Sequence, residues 1–172
     1  MRKSQIRDIT VFSMLGALIF SSKIIMELLP NIHLIGMFVM LCTVVFRLKA
    51  LIPIYIFVFI TGLYFGFASW WIAYLYIWTV LWGITMLIPK NIPRRLAAIV
   101  YPIVCALHGI FYGVLYAPTQ SLIYGLNFEE TLAWIVAGIP FDLVHAASNF
   151  AAGFLVLPLS TLVRRLYKRG VH

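Results

Sequence analysis

The chain of 172 residues is 63% apolar and only 10% charged, with a net charge of +8. Soluble domains carry about 25% charged residues, and a soluble fold of this size has too little interior to hide so many apolar side chains. Composition therefore excludes a soluble domain, and the gathering of basic residues between apolar segments excludes a nucleic-acid footprint.

In chain order, six apolar segments stand out, at about 9–28, 33–46, 50–68, 71–88, 97–116 and 132–163. Most are near the ~20 residues that cross a ~30 Å hydrocarbon core as a helix. The second is short, and the last is long enough to tilt or to project into the cytoplasm. The alternating strands of a membrane barrel are absent from the sequence. The expected fold is an all-α membrane protein, a six-transmembrane-helix bundle forming one domain over residues 1–172. The first segment is too long for a signal-peptide core and lacks a small-residue cleavage site. Cys42 and Cys105 fall inside expected spans and read as small apolar residues rather than a disulfide framework.

Arg2, Lys3 and Arg7 precede the first segment, and Arg47 and Lys49 separate the second from the third. Lys90, Arg94 and Arg95 separate the fourth from the fifth, and Arg164, Arg165, Lys168 and Arg169 follow the sixth. Six crossings put these residues, twelve of the thirteen Lys and Arg, on one side. An odd number would scatter them. The positive-inside rule then places both termini in the cytoplasm, and the clusters meet anionic lipid head groups.

In the first segment Ser13, Ala17 and Ser21 recur every four residues as a small-residue stripe, with Gly16 beside it; such stripes let another helix approach closely. Gly62/Gly66 and Gly109/Gly113 are further pairs, of the kind that mostly serves internal packing. Lys23 is the one basic residue outside the clusters, ~22 Å up the helix from Asp8, with Glu27 in ion-pair reach at i+4. Either it snorkels outward to pair with Glu27, or it faces a cavity and meets a ligand. The short proline-bent turn that follows carries His33.

The stretch from Trp70 to Trp82 holds four of the five tryptophans. Trp71, Tyr74, Trp78 and Trp82 share one face within about 80° and run ~16 Å through the membrane, whereas a belt keeps its rings at one depth. Trp70 is expected at the interface, Tyr76 on another face, and Trp82 too deep for an outward pocket. The stripe of Trp71, Tyr74 and Trp78 either packs on a neighbouring helix or walls a ligand site. In the fifth segment Tyr101, His108 and Tyr112 share a face; in the sixth, Asp142, His145 and Asn149 do so within about 60°. Asp142 is expected ~16 Å deep, where an unpaired carboxylate is costly and needs a partner or a watery cavity. His108 or His145 either bonds it to lock two helices or takes part in ligand or ion handling. Residues 117–130 are expected to form the longest outward connection, a lid or a tight turn, ending in an Asn127–Glu130 capping box.

No Gly-rich phosphate loop, Gly-x-Ser-x-Gly elbow or His-Glu-x-x-His pair is present, so the chain is not read as an enzyme. His33, His108 and His145 would hold a metal only if three helices converged.

Six spans in so short a chain are too few for an inverted-repeat transporter. The chain resembles the substrate-binding S component of an energy-coupling factor (ECF) transporter over essentially its whole length. The resemblance rests on size, topology, the stripe Ser13-xxx-Ala17-xxx-Ser21, and the run from Ser21 to His33 followed by the tryptophan-rich fourth segment. It implies a subunit that binds a small water-soluble vitamin, precursor or related metabolite at the outer face and releases it inside by toppling in the bilayer. Its partners would be a transmembrane T component and two cytoplasmic ATPases, which use the ATP; no cofactor is expected on this chain. The T component would dock on Ser13, Ala17 and Ser21, where serine replaces the family's alanine at two of three positions. By the same analogy the substrate site would be lined by Lys23, Glu27, His33, Trp71, Tyr74, Trp78, His108, Tyr112, Asp142, His145 and Asn149. The start Met-Arg-Lys departs from the Met-His of nickel and cobalt S components and argues against metal cargo. Two other classes stay open from the residues alone: a stand-alone carrier or channel with Asp142 and His145 as a proton or ion relay, and a membrane enzyme built on the histidines.

Overall fold

The computed structural model describes residues 3–169. Among them the chain is all-helical, with no strand: α1 (Lys3–Met26), α2 (Ile35–Phe46), a 3-10 turn (Arg47–Ala50), α3 (Leu51–Phe65), α4 (Ser69–Leu87), α5 (Arg94–Ile110), α6 (Tyr112–Tyr124), α7 (Phe128–Gly153) and α8 (Val156–Arg169). Five stretches are long and apolar enough to cross a membrane: Gln5–Met26, Ile35–Phe65, Ser69–Leu87, Arg94–Tyr124 and Phe128–Gly153. The six expected segments thus become five continuous helical stretches, because α2 and α3 join through the 3-10 turn.

That joined stretch is folded on itself. Lys49 Nζ lies 2.8 Å from Asp8 at one end of α1, and Lys23 sits over the Phe65 ring near the other, so α1 and α3 run parallel. Trp71 donates to the Val58 carbonyl and Tyr55 to that of Leu75, so α3 and α4 run antiparallel. His33, just ahead of α2, meets Trp78, while Arg47 at its far end reaches the carbonyls of Met86 and Ile88; α2 therefore runs parallel to α4 and opposite to α3. The reversal turns on Arg47, a non-glycine residue at φ 55°. Such a conformation costs on the order of 1 kcal/mol or more. It is held by the two guanidinium bonds and by Trp82 Nε1, which donates to the Arg47 carbonyl at 3.1 Å.

Residues 117–126 contain no lid. The helix continues through Pro118 to Tyr124, and Gly125 ends it at φ 66° while Leu126 N–H donates to the Ser121 carbonyl. Glycine suits that left-handed cap because it carries no Cβ. The connection shrinks to residues 125–127, after which Asn127 and Glu130 form the expected capping box. At the other end of α7 the chain bends at Phe154–Leu155, and α8 crosses the base of the bundle, with Arg164 donating to the Val44 carbonyl at 2.6 Å.

Glycines set the α5–α7 spacing. A Cβ on Gly109 would stand 2.7 Å from the Ala146 nitrogen, and one on Gly153 would stand 2.5 Å from Pro102 Cα. Backbones meet backbones there, which is how helices associate when lipid removes the hydrophobic drive. Gly16 does the same for α1 against Pro53 and Ile56. Cys42 and Cys105 are free and buried in the core.

Candidate functional site

Tyr74 and Trp78 are one helical turn apart on α4, so they share one face and their rings meet edge to face, with centroids 5.4 Å apart. Trp78 is 1% exposed and is the hub of an aromatic–imidazole cluster. Its neighbours are His33 from the α1–α2 turn at 6.2 Å, His108 from α5 at 5.6 Å and Tyr112 from α6 at 6.2 Å. His145 from α7 closes the ring, 4.9 Å from both His33 and Tyr112. Four helices and one turn, far apart in sequence, meet here. The convergence that the histidines needed is present, yet no group of three His, Cys, Asp or Glu among the described residues stands in metal-holding geometry.

Few of the polar atoms in this cluster have partners. His108 Nε2 lies 3.2 Å from the Ile77 carbonyl. A carbonyl only accepts, so Nε2 carries the proton and Nδ1 keeps a bare lone pair. That Nδ1 is buried and unpartnered, as are His33 Nδ1, His145 Nδ1, Trp78 Nε1 and Asn149 Oδ1. Asn149 lies one turn below His145 on α7 and packs against Gly36 at the start of α2. Each unsatisfied buried group costs about 1–3 kcal/mol, and native proteins keep few of them. Five such atoms gather in this one cluster.

Asp142 does not bond either histidine. Its carboxylate accepts the Gly113 N–H at 3.1 Å to each oxygen, in the first turn of α6 just past the break at Phe111. His145 Nδ1 is 4.0 Å from Oδ1, too far for a hydrogen bond. The carboxylate thus holds the α5–α6 break against α7, and the helix-locking histidine is not the arrangement found.

Above the cluster lies a cleft of about 260 Å³. Lys23 and Glu27 form one side of it, Trp70 and Tyr116 line others, and Tyr74 and Tyr112 belong to both cleft and cluster. Lys23 Nζ stands 4.0 Å from Glu27 and 4.1 Å over the Phe65 ring. Lys23 therefore pairs with Glu27 and also lines the cleft.

Of the residues singled out in the sequence, Lys23, Glu27 and Tyr74 line the cleft or its floor, and His33, Trp78, His108, Tyr112, His145 and Asn149 form the cluster. Asp142 lies beside it. Trp71 stands apart: its indole donates to Val58 and its ring meets Phe67, so it packs on α3. Trp70 takes the cleft position instead. Trp70, Phe65 and Tyr116 were missed, although Trp70 and Tyr116 each sit one turn from a chosen residue, Tyr74 and Tyr112. Trp82 serves the Arg47 turn and Tyr76 bonds the Leu115 carbonyl at 2.7 Å, both away from the cluster as expected. Ser13, Ala17 and Ser21 are exposed among the described residues, while Gly16 beside them is buried.

The cleft is thus lined by aromatic side chains with Lys23 and Glu27 at one side, and the buried cluster beneath it is rich in polar atoms without a protein partner. The chain matches no family model, no curated protein and no solved structure.

Proposed function

We propose that this chain is the substrate-binding S component of an ECF-type importer, crossing a prokaryotic cell membrane six times with both termini in the cytoplasm. It captures a small water-soluble vitamin, precursor or related metabolite from outside and passes it inward when coupled to a T component and two ATPases. The observation that carries this reading is the set of five buried, unpartnered polar atoms lying under a cleft at the end of the bundle opposite the basic clusters. Opposed directions for α2 and α3 support six crossings, which keep the basic clusters together on the cytoplasmic side. The bare stripe of Ser13, Ala17 and Ser21 supports a partner helix, since small residues left facing lipid gain nothing by being small.

The test is purification of the tagged chain from its own membranes. The T component and ATPases co-purify, and substrate uptake in proteoliposomes requires them and ATP. Uptake by the chain alone without ATP would sink the reading. It would favour instead a carrier with Asp142 and His145 as relay, for which the 4.0 Å separation of these groups is the supporting observation.

A further inference from the structure

We propose that the cleft takes a small zwitterion: an α-amino acid or close kin, with carboxylate and ammonium on one carbon and an apolar side chain. This rests on the cleft being the substrate site of the function proposed above, and adds the chemical class of the substrate.

The charges, the walls and the volume that define this class all belong to the one cleft of about 260 Å³. Lys23 and Glu27 stand one turn apart at the end of α1, and Trp70, Tyr74, Tyr112 and Tyr116 line the space with them. These four rings are half-buried, so part of each is open to an occupant. Lys23 Nζ is 4.0 Å from Glu27 Oε1, near enough for the charges to be felt and too far for a hydrogen bond. Its other neighbour is the Phe65 ring, so among the described residues nothing accepts a hydrogen bond from Nζ. The Lys23 side chain is 19% exposed and that of Glu27 52%, so the ammonium is the more enclosed of the two charges.

The pair selects among occupants. An uncharged molecule displaces water from Nζ and leaves its N–H groups without acceptors, which is the costly case. A simple carboxylate satisfies Nζ but sets a second negative charge beside Glu27, and a simple amine sets a second positive charge beside Lys23. A zwitterion gives each charge an opposite partner and adds no net charge at a depth where net charge is expensive. The rings do the rest, since their faces cover an apolar side chain and attract an ammonium. The cleft is smaller than the ~300–1,000 Å³ of sites for drug-sized molecules, which holds the occupant near amino-acid size.

The experiment is titration calorimetry on the solubilised full chain, with L-phenylalanine and L-leucine as zwitterionic probes. Their charge-deleted analogues are 3-phenylpropionate and 4-methylpentanoate, which lack the ammonium, and phenethylamine and 3-methylbutylamine, which lack the carboxylate. At least one amino acid binds saturably, and each of its two analogues binds about ten-fold more weakly or worse, the loss of one charge-assisted hydrogen bond. The variants cross this pattern. Lys23→Met removes the advantage of the amino acid over the amine, and Glu27→Gln removes its advantage over the carboxylate. A merely structural role for the pair would weaken all probes alike. An analogue that binds the unaltered chain as tightly as its parent, no saturable binding of either amino acid, or preferences unchanged in both variants each overturns the proposal. Should a variant fail to fold, the six probes on the unaltered chain still decide. The importer reading fails separately: amino-acid binding without co-purifying ATPases removes the importer, and co-purification without amino-acid binding removes only the ligand class.

Discussion

At the basic end of the bundle Asp8 accepts from both Lys49 and Tyr167, Arg47 reaches two carbonyls of α4, and Arg164 reaches one of α2. At the opposite end, Trp78, His33, His145 and Asn149 hold buried atoms with no partner at all. Arg7 and Arg47 each leave one nitrogen unpaired, but their guanidinium groups are engaged through others. The indole of Trp78 has one polar atom and nothing to give it to. Both ends are built of aromatic and polar side chains, yet at one end each of these polar side chains has a bond within the chain, and at the other several buried polar atoms have none. A closed network holds helices together.

The largest expected effect lies in the frame that both ends share. Gly109→Val drives a side chain into the Ala146 backbone, which cannot rotate away, and should cost about 3 kcal/mol or more. Detergent size exclusion should show loss of monodisperse protein; a normal profile would mean that the α5–α7 spacing is not fixed by glycine. Next comes the open end. Trp78→Leu should lower stability by about 2 kcal/mol and remove most ligand-induced fluorescence quenching. Quenching retained in that variant would take Trp78 out of the site and erase the contrast.

A smaller effect is expected at Asp142→Asn, which keeps an oxygen for the Gly113 N–H and should change thermal stability by about 1 kcal/mol. Unchanged ATP-dependent uptake in this variant is the expected result. Abolished uptake with a folded protein would instead promote Asp142 to a proton-handling group. The smallest effect is at the closed end. Lys49→Ala removes a cation that is 62% exposed, and exposed pairs contribute about 0–1 kcal/mol. Ligand affinity should not move. A large loss of affinity there would show that the two ends are coupled and sharpen the comparison into a conformational one. Tyr167 is the partner to watch in such a case, since burial and its bond to Asp8 raise its phenol above the ordinary range.

The sequence by itself determined what repeats at helical spacing. Apolar segments near membrane length follow from composition, and the Asn127–Glu130 box follows from two residues three apart. The shared faces of Tyr74 with Trp78, and of His145 with Asn149, follow from the turn of the helix. Chain reversals were less legible. Residues 117–130 read as a connection, yet Pro118 sits inside α6, because membrane helices tolerate proline when neighbours take up the freed backbone groups.

Only the tertiary structure decided which neighbour each face meets. A helical wheel put Trp71 with Tyr74 and Trp78, but α3 lies close enough to claim its indole, leaving the cleft to Trp70. The wheel could not show that the stripe of Ser13, Ala17 and Ser21 stays bare while Gly16 is covered, nor that Asp142 would find a backbone N–H rather than a histidine. The physical reason is that side-chain direction along one helix is set by local geometry, whereas the partner of a polar atom is set by the crossing of helices distant in sequence. The bonds left unmade around Trp78 become visible only once those crossings are in place.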